Sequence, residues 1–441
     1  MNTRPEPLAS AGTSLWADVH RDHWRLWLAS MLGWVLDSYE FFALALVVIP
    51  ALLTLLAPAQ RHAIGTYAGL AVAGTMLGWG IGGWAGGLVA DYLGRKRTMM
   101  YSILLYAGAT FLTGFSTSWQ TLTLFRFLTG LGIGAEWCTG VNLVSEMWPN
   151  RARSTGVALL GAGAGVGSLL ASGVAAVVLR FPDGWRWMFY LGVLPALLVF
   201  WLRRGVPEST RWEQARSRHQ AQAESNATAP TERFTLAYVL AHPNVRRYTW
   251  LAVLVTTATT VGIWDVDVWI PAATDAYAAA ARLAHAAVYG AYVLFVNNLG
   301  AILGEVAAGP LSDRWGRRPT NLLALTLALL SVPAFFYLAP RGGITGLLIV
   351  SGLVGIVTGA PISWLGIYLP ELFPTWARGT GTAFAFNFGR FLTAAAILTS
   401  GILVTHLGGV APAATIVGLI YLLGILAMLG LPETRGRDLP D

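Results

Sequence analysis

The sequence predicts an all-α membrane protein with twelve transmembrane helices in two pseudo-symmetric six-helix bundles. Three observations carry this. Of 441 residues, 55% are hydrophobic and only 12% are charged, against about 25% charged in an ordinary soluble domain. Apolar runs of spanning length recur along the whole chain. The second half of the chain repeats the first.

The apolar runs lie near 26–56, 63–90, 98–116, 120–146, 154–179 and 186–204, and, after a polar gap, near 248–272, 285–311, 319–338, 343–370, 378–405 and 410–430. About 20 residues span the hydrocarbon core, so the longer runs tilt or extend beyond it. Lipid offers backbone polar groups no partner, so each run must be helical, and their continuity excludes a barrel. Residues 1–23 are polar and contain no apolar signal-peptide core, so the first run is expected to be retained. The expected organisation is a tail over 1–24, a bundle over 25–204, a linker over 205–247, a second bundle over 248–430 and a tail over 431–441.

The formal charge is +7, from 29 Lys and Arg against 22 Asp and Glu. The basic residues cluster in short turns between apolar runs, which points to membrane topology rather than nucleic acid. One set of connections holds Arg95, Lys96, Arg97, Arg151, Arg153, Arg203, Arg204, Arg246, Arg247, Arg314, Arg317, Arg318 and Arg378. The opposite set holds Arg61, Arg180, Arg186, Arg282 and Arg341. The richer set, with both termini, is expected on the cytoplasmic side of an inner membrane. The single cysteine, Cys138, excludes an internal disulfide, and the seven scattered histidines offer no metal-ligand spacing. No metal or cofactor is expected, and no enzyme chemistry.

The repeat is specific. Gly87-Leu-Val-Ala-Asp91-Tyr-Leu-Gly94-Arg95-Lys96 returns 222 residues later as Gly309-Pro-Leu-Ser-Asp313-Arg-Trp-Gly316-Arg317-Arg318. Glu146-Met-Trp-Pro149-Asn-Arg-Ala-Arg153 returns 225 residues later as Glu371-Leu-Phe-Pro374-Thr-Trp-Ala-Arg378, and Pro207-Glu208-Ser209 returns at the same offset as Pro432-Glu433-Thr434. Parallel six-helix repeats build one large class of membrane transporters. Gly161-Ala-Gly163-Ala-Gly165-Val-Gly167 has dinucleotide-loop spacing, but no strand precedes it, so it is read as close helix packing.

Charges within the apolar runs cost roughly 2.5–3.5 kcal/mol each on insertion scales and need a reason. They are Asp37, Glu40, Arg126, Glu136, Asp265, Asp267, Glu305 and Arg390, with Asn142, Asn297, Asn298 and Asn387 as uncharged polar companions. Asp37 lies 12 residues beyond Arg25, Glu136 lies 10 before Glu146, and Arg390 lies 12 beyond Arg378. At a rise of 1.5 Å per residue, all three fall roughly 15–18 Å from the basic side, near the midplane. Asp37 and Glu40, three apart, are expected to share a helix face. Two carboxylates so close cannot both ionise cheaply, which suits proton carriage.

These motifs resemble the major facilitator superfamily over about residues 25–437, and most closely its sugar-porter and metabolite–proton symporter branches. Leu36-Asp37-Ser38-Tyr39-Glu40, Gly132-Ile-Gly134-Ala-Glu136-Trp137 and Trp185-Arg186-Trp187 are similar to motifs of aromatic-acid and sialate symporters. Where sugar porters carry a Gln-rich seventh helix, this chain has Ile263-Trp-Asp265-Val-Asp267. The resemblance implies a monomeric transporter that moves a small solute, with protons as the coupling ion. It implies a cytoplasmic gate of Asp91, Arg95, Asp313, Arg317, Glu146, Arg153, Glu371 and Arg378, in which Glu146 with Arg153 and Glu371 with Arg378 bridge helix ends. Proton coupling is expected from Asp37, Glu40 and Glu136 with Arg126. Solute binding is expected from Arg390, Asn297, Asn298, Asn387, Tyr39, Trp137, Asp265 and Asp267. The leading reading is symport of a small organic anion. A neutral sugar or polyol is the alternative, and a non-transporting membrane sensor is the alternative of another class.

Overall fold

The protein is described here from a computed structural model, which covers residues 16–193, 207–225, 235–283 and 289–440; within these, the side chains of 219–225, 264–268, 397–402 and 405 are not described. The first half holds α1 (Arg21–Leu55), α2 (Ile64–Leu93), α3 (Arg95–Thr113), α4 (Trp119–Met147), α5 (Arg153–Gly161), α6 (Gly163–Val178) and α7, which opens at residue 184 and is described to 193. Between the halves lie α8 (Thr210–Ser225) and α9 (Thr235–Ala241). The second half holds α10 (Pro243–Ala280), α11 (Tyr289–Trp315), α12 (Arg317–Pro333), α13 (Gly343–Tyr368), α14 (Arg378–His406), α15 (Val410–Gly418) and α16 (Ile420–Leu429).

Twelve spanning segments result, because α5 with α6 and α15 with α16 each form one span broken in the middle. Six helical stretches among the described residues are both long and apolar enough to cross a membrane by length and composition alone. The long helices α1, α4, α10, α11 and α14 carry the intramembrane charges, and α3 opens on Arg95, Lys96 and Arg97. The seventh span runs further than its apolar core suggests. The helix begins at Pro243, whose ring suits the first helical turn, and continues to Ala280.

Close helix packing follows the repeat. A Cβ on Gly82 of α2 would stand 2.0 Å from the Leu131 carbonyl oxygen of α4, and one on Gly304 of α11 would stand 2.0 Å from the Ile356 carbonyl oxygen of α13. These two backbone-to-backbone pairs are the frames of the two halves, since bare glycine lets helices touch along their axes. The glycine-rich stretch after Gly161 serves α1 in the same way: a Cβ on Gly167 would stand 2.2 Å from the Val35 carbonyl oxygen, and the Trp34 indole donates to the Gly161 carbonyl at 3.0 Å.

Gly87 and Gly309 sit on the seams between halves. A Cβ on Gly87 would stand 2.3 Å from the Ala383 Cβ of α14, and one on Gly309 would stand 2.8 Å from the Ser154 carbonyl of α5. Three residues on from the motif acids come the turns. Gly94 and Gly316 end α2 and α11 at φ values of 99° and 105°, a region in which a side chain is strained.

Candidate functional site

At the end of the bundle that carries these basic turns, the two halves are bound by buried charges. The Asp91 carboxylate accepts from the backbone N–H of Gly379 at 2.9 Å, from that of Thr380 at 2.8 Å and from the Thr380 hydroxyl at 2.7 Å. An acid of the first half therefore caps the N-terminus of α14 in the second, where the helix dipole favours an anion. Arg95 donates to Asp91 at 3.2 Å, to Glu146 at 3.0 Å and to the Thr375 carbonyl at 2.8 Å. Arg378 donates to Glu146 at 3.0 Å and to the Pro370 carbonyl at 3.0 Å. Glu146, Arg95 and Arg378 are fully buried, so removing one would strand the others.

The mirror cluster is more open. Arg317 grips Glu371 through two bonds of 3.2 and 3.0 Å and reaches Asp313 at 2.8 Å, but the Asp313 side chain is 33% exposed. The Ser154 hydroxyl donates to Asp313 across the second seam. The pairs expected within each half are not the ones formed. Glu146 bonds Arg378 rather than Arg153, and Glu371 bonds Arg317 rather than Arg378. Arg153 donates to Asn150 at 3.0 Å and stands within electrostatic reach of Glu371. The turns after α4 and α13 meet between the halves, so Arg378 faces Glu146 and Arg153 faces Glu371, each the acid of the opposite repeat.

Sequence reasoning noted the Pro-Glu-[Ser/Thr] repeat without giving it a role. Glu208 accepts from the N–H of Arg95 at 2.9 Å and of Lys96 at 3.2 Å, capping α3. Glu433 does the same for α12, accepting from Arg317 at 2.9 Å and Arg318 at 3.0 Å, and also from Thr434 and Arg435. Burial pushes the Glu433 carboxyl up, but these four backbone donors win and hold it below the usual carboxylate range. The following hydroxyls, Ser209 and Thr434, donate to Glu146 and Glu371. Beyond them the chain crosses back between the halves. Asn150 donates to Asp438, while the Pro440 carbonyl accepts from the Thr375 N–H at 3.1 Å, the Thr375 hydroxyl at 3.0 Å and Arg378 at 2.8 Å.

At mid-depth lies a cavity of about 120 Å³. Its walls are mainly aromatic and apolar, including Trp34, Phe41, Phe42, Trp79 and Phe386. The polar groups are Ser38, Thr260, Asn297, Asn298, Glu305 and Arg390. Arg390 is 6% exposed. Its guanidinium carbon stands 3.7 Å from the Trp79 ring centroid and 4.8 Å from that of Phe386. Trp137 stacks on Phe386 at 3.6 Å. Among the described residues no carboxylate lies within ion-pair distance of Arg390; Asp37 acts on it only at longer electrostatic range. Among the described residues the Arg390 Nε has no hydrogen-bond partner.

The cavity thus gathers Arg390, Asn297 and Asn298 from the expected solute-binding set. The others lie elsewhere. The Tyr39 hydroxyl donates to the Met188 carbonyl at 2.9 Å and fastens α1 to α7. Asn387 donates to the Ala383 carbonyl at 3.0 Å and to Cys138 Sγ at 3.6 Å. Trp137 supports the wall from behind Phe386. The side chains of Asp265 and Asp267 lie outside the described residues. Asn297 lines the cavity while its amide donates to the Ser351 carbonyl at 3.1 Å.

Asp37 and Glu40 part company. Glu40 accepts from Arg126 at 3.1 Å and from the Thr110 hydroxyl at 2.9 Å, and Arg126 also donates to the Glu40 carbonyl at 3.1 Å. Three residues on a helix differ by roughly 60° around its axis, enough to aim Glu40 between α3 and α4 and leave Asp37 on the side of Arg390. Glu136 and Asp37 are both buried, at 2% and 0% exposure. Glu305, Trp34 and Trp79 are among the cavity residues that sequence reasoning missed. Glu305 was visible as a membrane charge, but only the fold brings α11 to the same space as α14.

Two six-helix halves closed at one end over a midplane cavity define a transporter. The chain belongs to the Major Facilitator Superfamily: that family's model matches residues 30–340, and a model described as sugar (and other) transporter matches 283–441. It is a membrane transporter of small molecules, not an enzyme. It is 31% identical to a probable 4-methylmuconolactone transporter of Cupriavidus pinatubonensis, covering 92% of this chain and 89% of that one. It is 29% identical to a cis,cis-muconate transport protein of Acinetobacter baylyi, over 83% and 86%, and 26% identical to the sialic acid transporter NanX of Escherichia coli, over 90% of both. Among solved structures, the proton:xylose symporter XylE superposes with a TM-score of 0.75 at 21% identity, covering 95% of this chain and 97% of that one. The human organic anion transporter MFSD10 superposes at 0.68 and 17%, over 92% and 99%. At such identities these structures speak for the fold alone.

Proposed function

We propose that the protein is a proton-coupled symporter of a small organic anion, working as a monomer by alternating access in a bacterial inner membrane. The basic end and both termini face the cytoplasm, as the Lys and Arg asymmetry requires. The observation that carries the anion is Arg390: a buried guanidinium on the wall of an apolar cavity, stacked on Trp79 and Phe386, with a free Nε and no paired carboxylate among the described residues. A permanent charge placed so needs an anionic visitor, and its planar fork matches a carboxylate. The cavity is close in size to one that admits a benzene ring, about 150 Å³, so the solute is compact. The muconate, muconolactone and sialic acid carriers among its relatives are named for acids or an acid-derived lactone.

Asp37, and Glu136 on the neighbouring α4, carry the proton, since both are buried at the depth of Arg390. Glu40 and Arg126 are instead a structural pair. The Asp91, Arg95, Glu146 and Arg378 network, with its mirror of Asp313, Arg317 and Glu371 and the adjoining Arg153, is the cytoplasmic gate, here closed. Uptake by proteoliposomes of a panel of organic acids and sugars, with and without a pH gradient, tests this. Uphill accumulation of an organic acid that a protonophore abolishes is expected. Accumulation of a pentose or polyol, with no acid taken up, would reject the anion in favour of a neutral solute.

A further inference from the structure

Trp79 lines the cavity and offers its ring face to Arg390, but its nitrogen is left over. The side chain is buried, at 4% exposure, and among the described residues the indole N–H has no hydrogen-bond partner. Other buried indoles are spent inside the protein. Trp34 donates to the Gly161 carbonyl, Trp148 to that of His23, Trp212 to that of Asp91 and Trp364 to that of Arg317. A buried donor without an acceptor costs about 1–3 kcal/mol, and buried indoles usually find a partner. The backbone that bears Trp79 is fixed from behind, where α2 lies flush on α4. A Cβ on Gly134 would stand 2.1 Å from the Trp79 carbonyl oxygen, and one on Gly130 would stand 2.9 Å from its nitrogen. Phe41 packs against the ring at 5.9 Å between centroids.

The Arg390 guanidinium carbon stands 3.7 Å from the Trp79 ring centroid, a contact distance that places it over the ring face. An indole N–H bond lies in the plane of its ring. The guanidinium, whose Nε also has no partner among the described residues, occupies the next layer. The two donors therefore address different atoms of whatever enters the cavity. We propose that Trp79 is a specificity-determining residue of the solute site, donating its indole N–H to a second oxygen of the solute, about two or three bonds from the carboxylate. The solute is then an acid with a ring, carbonyl or hydroxyl oxygen near its carboxylate, rather than a plain hydrocarbon acid. A site with a buried donor to satisfy rejects the analogue that lacks the acceptor. This rests on reading Arg390 as the partner of the carboxylate.

Titration calorimetry on the purified full-length protein in lipid nanodiscs compares two acids of equal ring size. One is γ-butyrolactone-γ-carboxylate, whose ring oxygen is bonded to the carbon that bears the carboxylate. The other is cyclopentanecarboxylate, which has no such oxygen. Trp79→Phe keeps an aromatic face beside Arg390 and removes the N–H. It should weaken the lactone acid by about ten-fold and leave cyclopentanecarboxylate within about two-fold. A merely structural role for the ring would weaken both alike. If the Phe variant does not fold, benzothienylalanine at position 79, with sulfur in place of the N–H and the same outline, carries the same expectation. An affinity ratio unchanged from wild type overturns the proposal and leaves the anion reading standing. Binding of neither acid by the wild type overturns it as well, and the uptake panel then tells whether the anion reading falls with it.

Discussion

Arg378 of the second half donates to the carboxylate of Glu146 in the first at 3.0 Å, and both side chains are wholly buried. Arg95 meets the same Glu146 oxygen from the other side at 3.0 Å. One carboxylate therefore neutralises two guanidinium groups drawn from opposite halves. Breaking a buried pair typically costs about 3–5 kcal/mol. Glu146→Gln should lower the melting temperature and open the basic end. Accessibility of a cysteine placed at Thr375 to a thiol reagent, in a Cys138-free background, measures the opening; unchanged accessibility and melting would refute it.

The two motif acids should differ. Asp91 accepts three bonds from α14 and is buried, whereas the Asp313 side chain is one-third exposed. Exposed ion pairs are worth about 0–1 kcal/mol. Asp91→Asn should leave insertion intact and slow transport by more than Asp313→Asn does, as initial uptake rates would reveal. Equal rates in both variants and wild type would remove the gate role of both acids.

Coupling separates Asp37 and Glu136 from Glu40. Neutralising Asp37 or Glu136 should abolish gradient-driven accumulation while solute exchange survives. Glu40→Gln strands Arg126 and should instead reduce the yield of folded protein. Normal uphill uptake in both Asp37→Asn and Glu136→Gln would reassign the proton.

For Arg390, replacement by Lys keeps the charge and loses the planar fork and much of the stacking on Trp79. If the solute is a carboxylate, Arg390→Lys should insert normally and bind more weakly by about 1.5–3 kcal/mol, roughly ten- to a hundred-fold. Isothermal titration with an acid from the uptake panel decides it, and an unchanged Kd rejects the clamp.

Glu433 should leave a trace in acid. Backbone donors depress its folded pKa below the unfolded value near 4.3. The stability it confers is therefore present above that unfolded value and is lost as pH falls through the depressed folded one. Glu433→Gln should flatten the acid limb of melting temperature against pH. An acid limb as steep as that of wild type would mean the cap contributes nothing.

The fold was legible because hydropathy, the basic turns and the duplicated motifs act over short stretches of chain. Gly94 and Gly316, at equivalent places, take the same left-handed turn. The site was legible only in part. Membrane charges such as Arg390 stand out against apolar neighbours. Partner choice depends on helix rotation and on which half faces which, and neither is written in local spacing. Hence Glu40 turns away from Asp37 to Arg126, Tyr39 is spent on Met188, and Arg378 crosses to Glu146. Glu305 was visible as a charge but had no place until α11 and α14 met.

The chain after Thr434 has a mechanical corollary. Asp438 is held by Asn150 of the first half, and Pro440 by Thr375 and Arg378 of the second. Two residues of chain reach at most about 7 Å. Once Asn150 and Arg378 separate by more than the slack in that short tether, one attachment must let go. The stroke of the basic end is therefore limited by a cord of known length, and its release marks the point at which opening becomes free.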